Sequence, residues 1–265
     1  MTKRLAIMMM VAGAVCGQVG AVDSIYDSDI VFTVSGDMGT AYINKGRTFN
    51  DGWVFQPSVD VSRRLFNDQG WVGFYFWGNM DLSEYHGTRQ YNEFSEIDLS
   101  TYWKGTFFDI DWRLQYTQYL YPYLQSYDPE PGVPVTHEVL MGAERKFRER
   151  IGVGGSVAFD YNERWSMYGM AYSYYVCMIT DVLTLTPRVS MGAAEKRMAE
   201  SFGGTHAGFA DYEFRLAGNY IINDKLRING RIGYVGTLNT ETLPAERYGG
   251  VDVKLYALIG LSYDM

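Results

Sequence analysis

Apolar and polar residues alternate without a break over the last fifteen residues of the chain, 251–265. Val251, Val253, Leu255, Ala257, Ile259, Leu261, Tyr263 and Met265 share one parity, and Asp252, Lys254, Tyr256, Leu258, Gly260, Ser262 and Asp264 the other. Side chains of a strand point alternately to its two faces, so this segment predicts one long strand with an apolar face and a mixed face. Strands of soluble domains usually run to about five or six residues. One of roughly ten or more, apolar along one side, fits a tilted membrane-spanning barrel strand.

The alternation recurs upstream. With the apolar parity taken as outward, a first strand near residues 30–42 sends Ile30, Phe32, Val34, Met38 and Tyr42 out and Thr33, Ser35 and Asp37 in. The second sends Trp53, Phe55, Pro57, Val59 and Val61 out against Gln56, Ser58, Asp60 and Ser62, and the third Val72, Phe74, Phe76 and Met80 against Tyr75, Trp77, Asn79 and Asp81. The fourth sets Ile97, Leu99, Thr101 and Trp103 against Glu96, Asp98, Ser100 and Tyr102. The fifth sets Phe108, Ile110, Trp112, Leu114, Tyr116 and Leu120 against Asp109, Asp111, Arg113, Gln115 and Thr117. A weaker sixth has Val139, Met141 and Ala143 opposite Glu138 and Glu144. The seventh has Ile151, Val153, Val157, Phe159 and Tyr161 opposite Gly152, Gly154, Ser156, Ala158 and Asp160. In the eighth, near 166–176, the two faces are ambiguous. The ninth sets Leu183, Leu185, Val189 and Met191 against Thr184, Thr186, Arg188 and Ser190. The tenth sets Tyr212, Phe214, Leu216 and Tyr220 against Asp211, Glu213, Arg215 and Asn219, and the eleventh Leu226, Ile228, Ile232 and Tyr234 against Arg227, Asn229 and Arg231. With the terminal strand this predicts an all-β fold, a transmembrane antiparallel up-and-down barrel of about twelve strands.

Connection lengths alternate as well. Long polar stretches follow the first, third, fifth, ninth and eleventh strands, while Lys104-Gly105-Thr106 and Asn223-Asp224 are tight links; Asn162-Glu163-Arg164 is a short exception on the long side. Barrels of this class carry long loops outside and short turns in the periplasm, which places both termini on the periplasmic side. Outward aromatics fall at strand ends, Tyr42, Trp53 and Tyr234 at one rim and Trp103, Phe108, Tyr220 and Tyr263 at the other, as two aromatic girdles require.

Met1-Thr2-Lys3-Arg4, the apolar run 5–15 and small residues ending at Ala21 read as a secretory signal peptide, residues 1–21, ahead of a single barrel domain, 22–265. The run is too short for a membrane helix. Val15 before Cys16 argues against a lipoprotein leader. Only Cys177 then remains, so no internal disulfide is expected. The 22 Tyr and 14 Phe suit lipid–water interfaces. A net charge of −8 argues against a nucleic-acid partner, which calls for basic patches.

Two stretches carry a family likeness. Tyr42-Ile43-Asn44-Lys45-Gly46-Arg47-Thr48-Phe49-Asn50-Asp51-Gly52 runs into Gln56-Pro57-Ser58, and Trp77-Gly78-Asn79-Met80-Asp81 is followed by Glu93-Phe94-Ser95-Glu96-Ile97-Asp98. These resemble the TorF-type porin family of Gram-negative outer-membrane barrels. The likeness covers residues 30–121; the C-terminal half matches in pattern only. It implies an outer-membrane barrel, and the solutes of that family are largely undefined. Gly260, Tyr263 and Met265 also resemble the C-terminal signal read by the barrel-assembly machinery, with two departures: Met265 replaces the usual aromatic, and Leu258 stands where a polar residue is common.

The inward parity carries the charge. Its acids are Asp37, Asp60, Asp81, Glu96, Asp98, Asp109, Asp111, Glu138, Glu144, Asp160, Asp211, Glu213 and Asp252; its bases are Arg113, Arg188, Arg215, Arg227, Arg231 and Lys254. As pore-lining charges this excess of acids would favour cations. The same residues also suit a lumen closed by salt bridges, Arg113 answering Glu96 or Asp98 and Arg215 answering Asp211 or Glu213. Glu96/Asp98 and Asp109/Asp111 each place two carboxylates on one strand face, roughly 7 Å apart. The Pro-rich stretch 122–136 is either a surface loop or an inward constriction. His86, His137 and His206 fall in or beside loops and have no metal-ligand spacing. The small inward residues of the seventh strand leave room for a bulky neighbour or a loop, and no helix follows Gly152-Val153-Gly154-Gly155 to make a phosphate site.

The sequence thus predicts a porin-like outer-membrane channel for passive diffusion of small hydrophilic solutes through a polar, net acidic lumen. Expected partners are outer-membrane lipid, lipopolysaccharide and the assembly machinery; no cofactor, metal or catalytic residue is expected. Two alternatives stay open: an outer-membrane enzyme acting on lipid or lipopolysaccharide, and a plugged structural or adhesive barrel.

Overall fold

The computed structural model describes residues 30–65, 70–83, 92–122, 135–161, 165–244 and 254–265. In chain order the strands are β1 (Ile30–Gly39), β2 (Tyr42–Asn44), β3 (Arg47–Asn50), β4 (Val54–Arg64), β5 (Trp71–Asp81), β6 (Glu93–Phe107), β7 (Ile110–Leu120), β8 (Val135–Phe147), β9 (Ile151–Asp160), β10 (Ser166–Tyr175), β11 (Cys177–Met178), β12 (Leu183–Ala194), β13 (Gly208–Ile221), β14 (Leu226–Thr237) and β15 (Leu255–Asp264). All but β2, β3 and β11 make one antiparallel barrel of twelve strands. Sequential neighbours pair, β10 pairs with β12, and β1 pairs with β15 to close the sheet. Closure leaves no open edge, which is what lets a sheet cross a membrane with its backbone groups satisfied.

The alternation sorts side chains as the sequence predicts. Along β15, Leu255, Ile259, Leu261 and Tyr263 are exposed on the outer surface, while Tyr256, Leu258, Gly260, Ser262 and Asp264 are buried inside. The pairing Val34↔Tyr263 and Met38↔Ile259 keeps the apolar parity of both strands on one side. The faces of β10 are now defined: Tyr168, Tyr172 and Tyr174 point inward and Met167 and Tyr175 outward. The rings of Tyr172 and Tyr174 lie across glycines of β9, in register Tyr172↔Gly154 and Tyr174↔Gly152, and that of Tyr168 across Gly192 of β12. A Cβ on Gly152 would stand 2.1 Å from Tyr174 Cζ, so the small residues of this strand do make room for bulky neighbours.

Four expectations are corrected. Lys104, Gly105 and Thr106 lie within β6, and the chain reverses at Phe108 and Asp109, both with positive φ (54° and 57°). Two such residues define a type I′ hairpin turn, whose usual Asn-Gly signature is missing here. Asp109 consequently sits at the turn and does not share a strand face with Asp111. Tyr42 is not in the outer girdle but buried in the short β2–β3 hairpin. The stretch after β12 is not all loop: α1 (Lys196–Phe202) forms there, with Glu195 accepting from the Met198 amide and Gly203 closing the C-terminus at φ 91°. The leader, Cys16, Glu163, His86, Asp252 and most of the Pro-rich stretch 122–136 lie outside the described residues.

Candidate functional site: a lumen crossed by a hairpin

The β2–β3 hairpin turns into the barrel instead of standing above it. Its turn is Lys45-Gly46, with φ values of 49° and 75°. Gly46 lies against the β13 wall, where a Cβ would stand 2.4 Å from Asp211 Cβ; neither the backbone angle nor the space admits a side chain. Along one flank the Tyr42 ring packs at a tilt against Trp77 of β5 and Phe49, centroids 5.4 and 5.1 Å away, over fully buried Val54. The Tyr42 hydroxyl donates to Glu96 Oε2 at 2.9 Å, and the Lys45 ammonium pairs with Glu138, which also accepts from Tyr119 at 2.9 Å. Burial, with Glu96 and Asp98 beside it, pushes the Tyr42 phenol well above its ordinary range, so it keeps the proton it donates.

The root of the hairpin is tied by a polar network. Asn50 Oδ1 accepts from the Gly52 amide at 2.6 Å. Gln56 donates to Asn79 Oδ1 at 3.0 Å, and Asn79 donates to Asp81 and Ser95, each at 2.8 Å. These residues belong to the two stretches that carry the family likeness. At the same end of the barrel, the rim bearing the long connections, α1 buries Met198, Ala199 and Phe202 against Tyr168, Ala194, Ala210 and Leu243. Arg47 of the hairpin lies 4.9 Å over the Phe202 ring, so hairpin and helix meet inside the lumen.

The predicted lining residues divide by position. On the wall from β4 to β9 the carboxylates are held by hydroxyls and lysines. Tyr102 donates to Asp60 at 2.7 Å, Tyr172 and Tyr174 donate to Glu144 at 3.1 and 2.6 Å, and Thr136 donates to Asp160 at 2.5 Å. Asp111 takes Lys146 at 2.8 Å and Thr106 at 2.6 Å. Asp98 is buried beside Glu96. Arg113 does not answer Glu96 or Asp98. It pairs in register with Lys104, whereas Asp98 pairs with Tyr119 six residues along β7. Such a separation is roughly 20 Å at strand rise. Arg113 instead lies over the Tyr102 ring at 4.8 Å and donates to Gln115 at 2.9 Å.

On the opposite wall, Arg188, Arg215 and Arg231 stand on the adjacent strands β12, β13 and β14, with Arg188 and Arg215 directly opposite each other. Asp211 accepts from Tyr168 at 2.7 Å, and Glu213 accepts from Tyr256. Arg215 therefore does not answer Asp211; it lies beside Glu213 without a hydrogen bond or ion pair of its own among the described residues. Arg231 approaches Asp37 at 3.8 Å. Toward the short-turn rim Arg227 pairs with Asp264 at 2.6 Å, and Thr33 donates to the same carboxylate at 2.8 Å. Lys254 is exposed just ahead of β15.

The hairpin is anchored on the β4–β8 wall and also touches the other wall, Ala41 and Ile43 packing on Val235, Tyr256 and Leu258 and Gly46 on Asp211, so a cleft remains only beside these contacts. This cleft, open to solvent, forms a small chamber between residues 41–46 and the β10–β15 wall, and all three arginines line it. Sequence reasoning missed this arrangement because parity identifies the lumen-facing residues but not which of them a loop covers. Lys104, Lys146 and Lys45 were missed among the bases for separate reasons: the first was assigned to a turn, the second escaped the weak sixth strand, and the third stands in a loop.

The remaining candidates are peripheral. His137 lies on the outer surface, its Nδ1 2.7 Å from the Tyr116 hydroxyl, and His206 is exposed beside Glu241. Gly260 has a local packing reason to be glycine, since a Cβ there would meet Asp37 Oδ1 at 1.8 Å. Tyr263 faces outward near the short-turn rim, and Met265 follows β15 with its amide donating to Phe32 O at 2.9 Å.

Together these features define a closed β-barrel, apolar outside and polar within, of the architecture that outer-membrane channels share. The particular barrels it resembles are known from solved structures. An outer-membrane channel from Pseudomonas putida F1 superposes with a TM-score of 0.55 at 9% identity, over 94% of this chain and 100% of that one. The NanC porin superposes with a TM-score of 0.51 at 9% identity, over 88% and 98%. Identity this low shows a common fold. No family model matches the chain, and no curated protein matches it in sequence.

Proposed function

We propose that this protein is a porin-like channel of the Gram-negative outer membrane, through which small hydrophilic solutes diffuse past an inward hairpin. One observation carries the reading: the hairpin narrows the lumen yet leaves a polar chamber beside it that is continuous with solvent. Twelve strands suit this, since eight give an interior filled by side chains and sixteen or more a wide aqueous channel. The similar solved barrels, an outer-membrane channel and a porin, support the same function. The hairpin and its anchoring network coincide with the stretches that resemble TorF-type porins, which supports placing the chain beside them. In this reading the long-loop rim faces outward, both termini face the periplasm, residues 1–21 are removed on export, and Gly260, Tyr263 and Met265 are read by the assembly machinery.

A second reading, a plugged structural barrel, is favoured by the packing of hairpin, α1 and Leu243 inside one rim. Swelling of liposomes carrying the purified protein separates the two. The channel admits a neutral pentose and the liposomes swell; liposomes that stay inert while a general porin swells beside them would favour the plug.

A further inference from the structure

We propose that the arginine wall of the chamber is a binding site for oxyanions, the carboxylate or phosphate groups of small solutes, and that it makes the channel anion-selective. The proposal rests on the channel reading and adds the solute class. It reverses the preference that the inward acids imply when they are merely counted.

The first argument is placement. Arg188 and Arg215 are directly opposed on neighbouring strands, where side chains stand roughly 5 Å apart and like charges repel. Arg231 is offset by two positions from the register partner of Arg215, a diagonal neighbour at roughly 7–8 Å. Three guanidinium groups on adjacent strands thus face one space. The chamber lining contains four bases, Lys45 among them, and two acids, Asp211 and Glu213.

The second argument is what each group already holds. Lys45 is committed to Glu138 and Asp211 to Tyr168; Glu213 accepts from Tyr256 and sits among the charges of all three arginines, one carboxylate against three guanidinium groups. Arg188 sits over the Tyr172 ring with Cζ 4.1 Å from its centroid, reaches only the Met170 sulfur at 3.8 Å with Nη2, and its buried Nε has no hydrogen-bond partner. The ring contact holds the guanidinium in place while its Nε stays unpartnered and Nη2 has only a weak sulfur acceptor. Guanidinium forks match the oxygens of carboxylate and phosphate bidentately, and hydrogen bonds to such anions are among the strong ones. An anion between Arg188 and Arg215 would relieve their repulsion and satisfy those donors. On the opposite wall, meanwhile, Glu96 and Glu138 lie under Tyr42 and Lys45 of the hairpin, and Asp60, Asp111, Glu144 and Asp160 are held by hydroxyls or Lys146 of the wall itself.

The test uses the purified full-length barrel. Under a tenfold KCl gradient in planar bilayers, the zero-current potential should have the sign of chloride preference. R188Q/R215Q should reduce the chloride-to-potassium permeability ratio at least about fivefold, and E213Q, which removes the nearest acid, should raise it. Calorimetric titration of the detergent-solubilised barrel with inorganic phosphate and with succinate should show millimolar binding, weakened tenfold or more in R188Q/R215Q. Heat-modifiable gel mobility verifies folding; if the double variant does not fold, E213Q and the wild type still decide. Cation preference in the wild type, or no wild-type binding of either anion, overturns the site. A barrel that binds phosphate but admits no neutral sugar keeps the site and loses the channel reading.

Discussion

Lys45 stands at the hairpin tip with its side chain 11% exposed, and its partner Glu138 is 5% exposed. Removing one member of such a buried pair leaves the other uncompensated, at a cost of about 3–5 kcal/mol. Lys45→Met should therefore undock the hairpin and lower the urea midpoint, and Lys45→Met with Glu138→Met should recover most of the loss. An unchanged midpoint in the single variant would mean that the tip is not anchored there. Packing against glycine is equally local. Gly152→Val, facing the Tyr174 ring, should destabilise the barrel by about 1–3 kcal/mol as overpacking does, and Tyr174→Ala in the same chain should restore it. At this scale the sequence shows which residues face the lumen. It does not show their heights, which is why Arg113 was paired with Glu96 or Asp98 when its neighbours are Tyr102 and Gln115.

Among elements, the barrel strands were legible because lipid enforces a strict period of two on their outer face. The β2–β3 hairpin was not, because its apolar residues bury against aromatic rings of the lumen and continue the parity of β1, so that Tyr42 reads as one more lipid-facing residue. The turn after β6 was misplaced because Gly105 lies inside the strand, while Phe108 and Asp109 adopt the left-handed conformation without a glycine. Relieving that backbone cost predicts that Asp109→Gly stabilises the barrel by about 1 kcal/mol, read as a higher urea midpoint. Depth along β15 gives a sharper contrast. Leu255 pairs with Tyr234 at the long-loop rim, and Ile259 lies midway between that pair and Tyr263. Ile259→Arg should cost about 2–4 kcal/mol and Leu255→Arg about 0–1 kcal/mol, as expected at midplane and interface. Equal costs would contradict the depth assignment.

For the whole molecule, closure is what converts twelve weak alternating segments into a prediction, since an even antiparallel meander with alternating connection lengths has few other uses. The lumen was less legible than the wall around it. Counting inward charges gave an acidic channel, whereas the folded chain covers acids on one side with a hairpin and leaves arginines on the other facing the chamber. The central claim is that solutes pass beside this hairpin. Single-channel recording in planar bilayers, on the wild type and on a variant in which residues 41–52 are replaced by a short Gly-Ser linker, tests it most directly. Stepwise currents in both proteins, with at least twofold larger steps in the variant, are the predicted result. Steps of equal size, or silence in the wild type with currents only after the hairpin is removed, would contradict it.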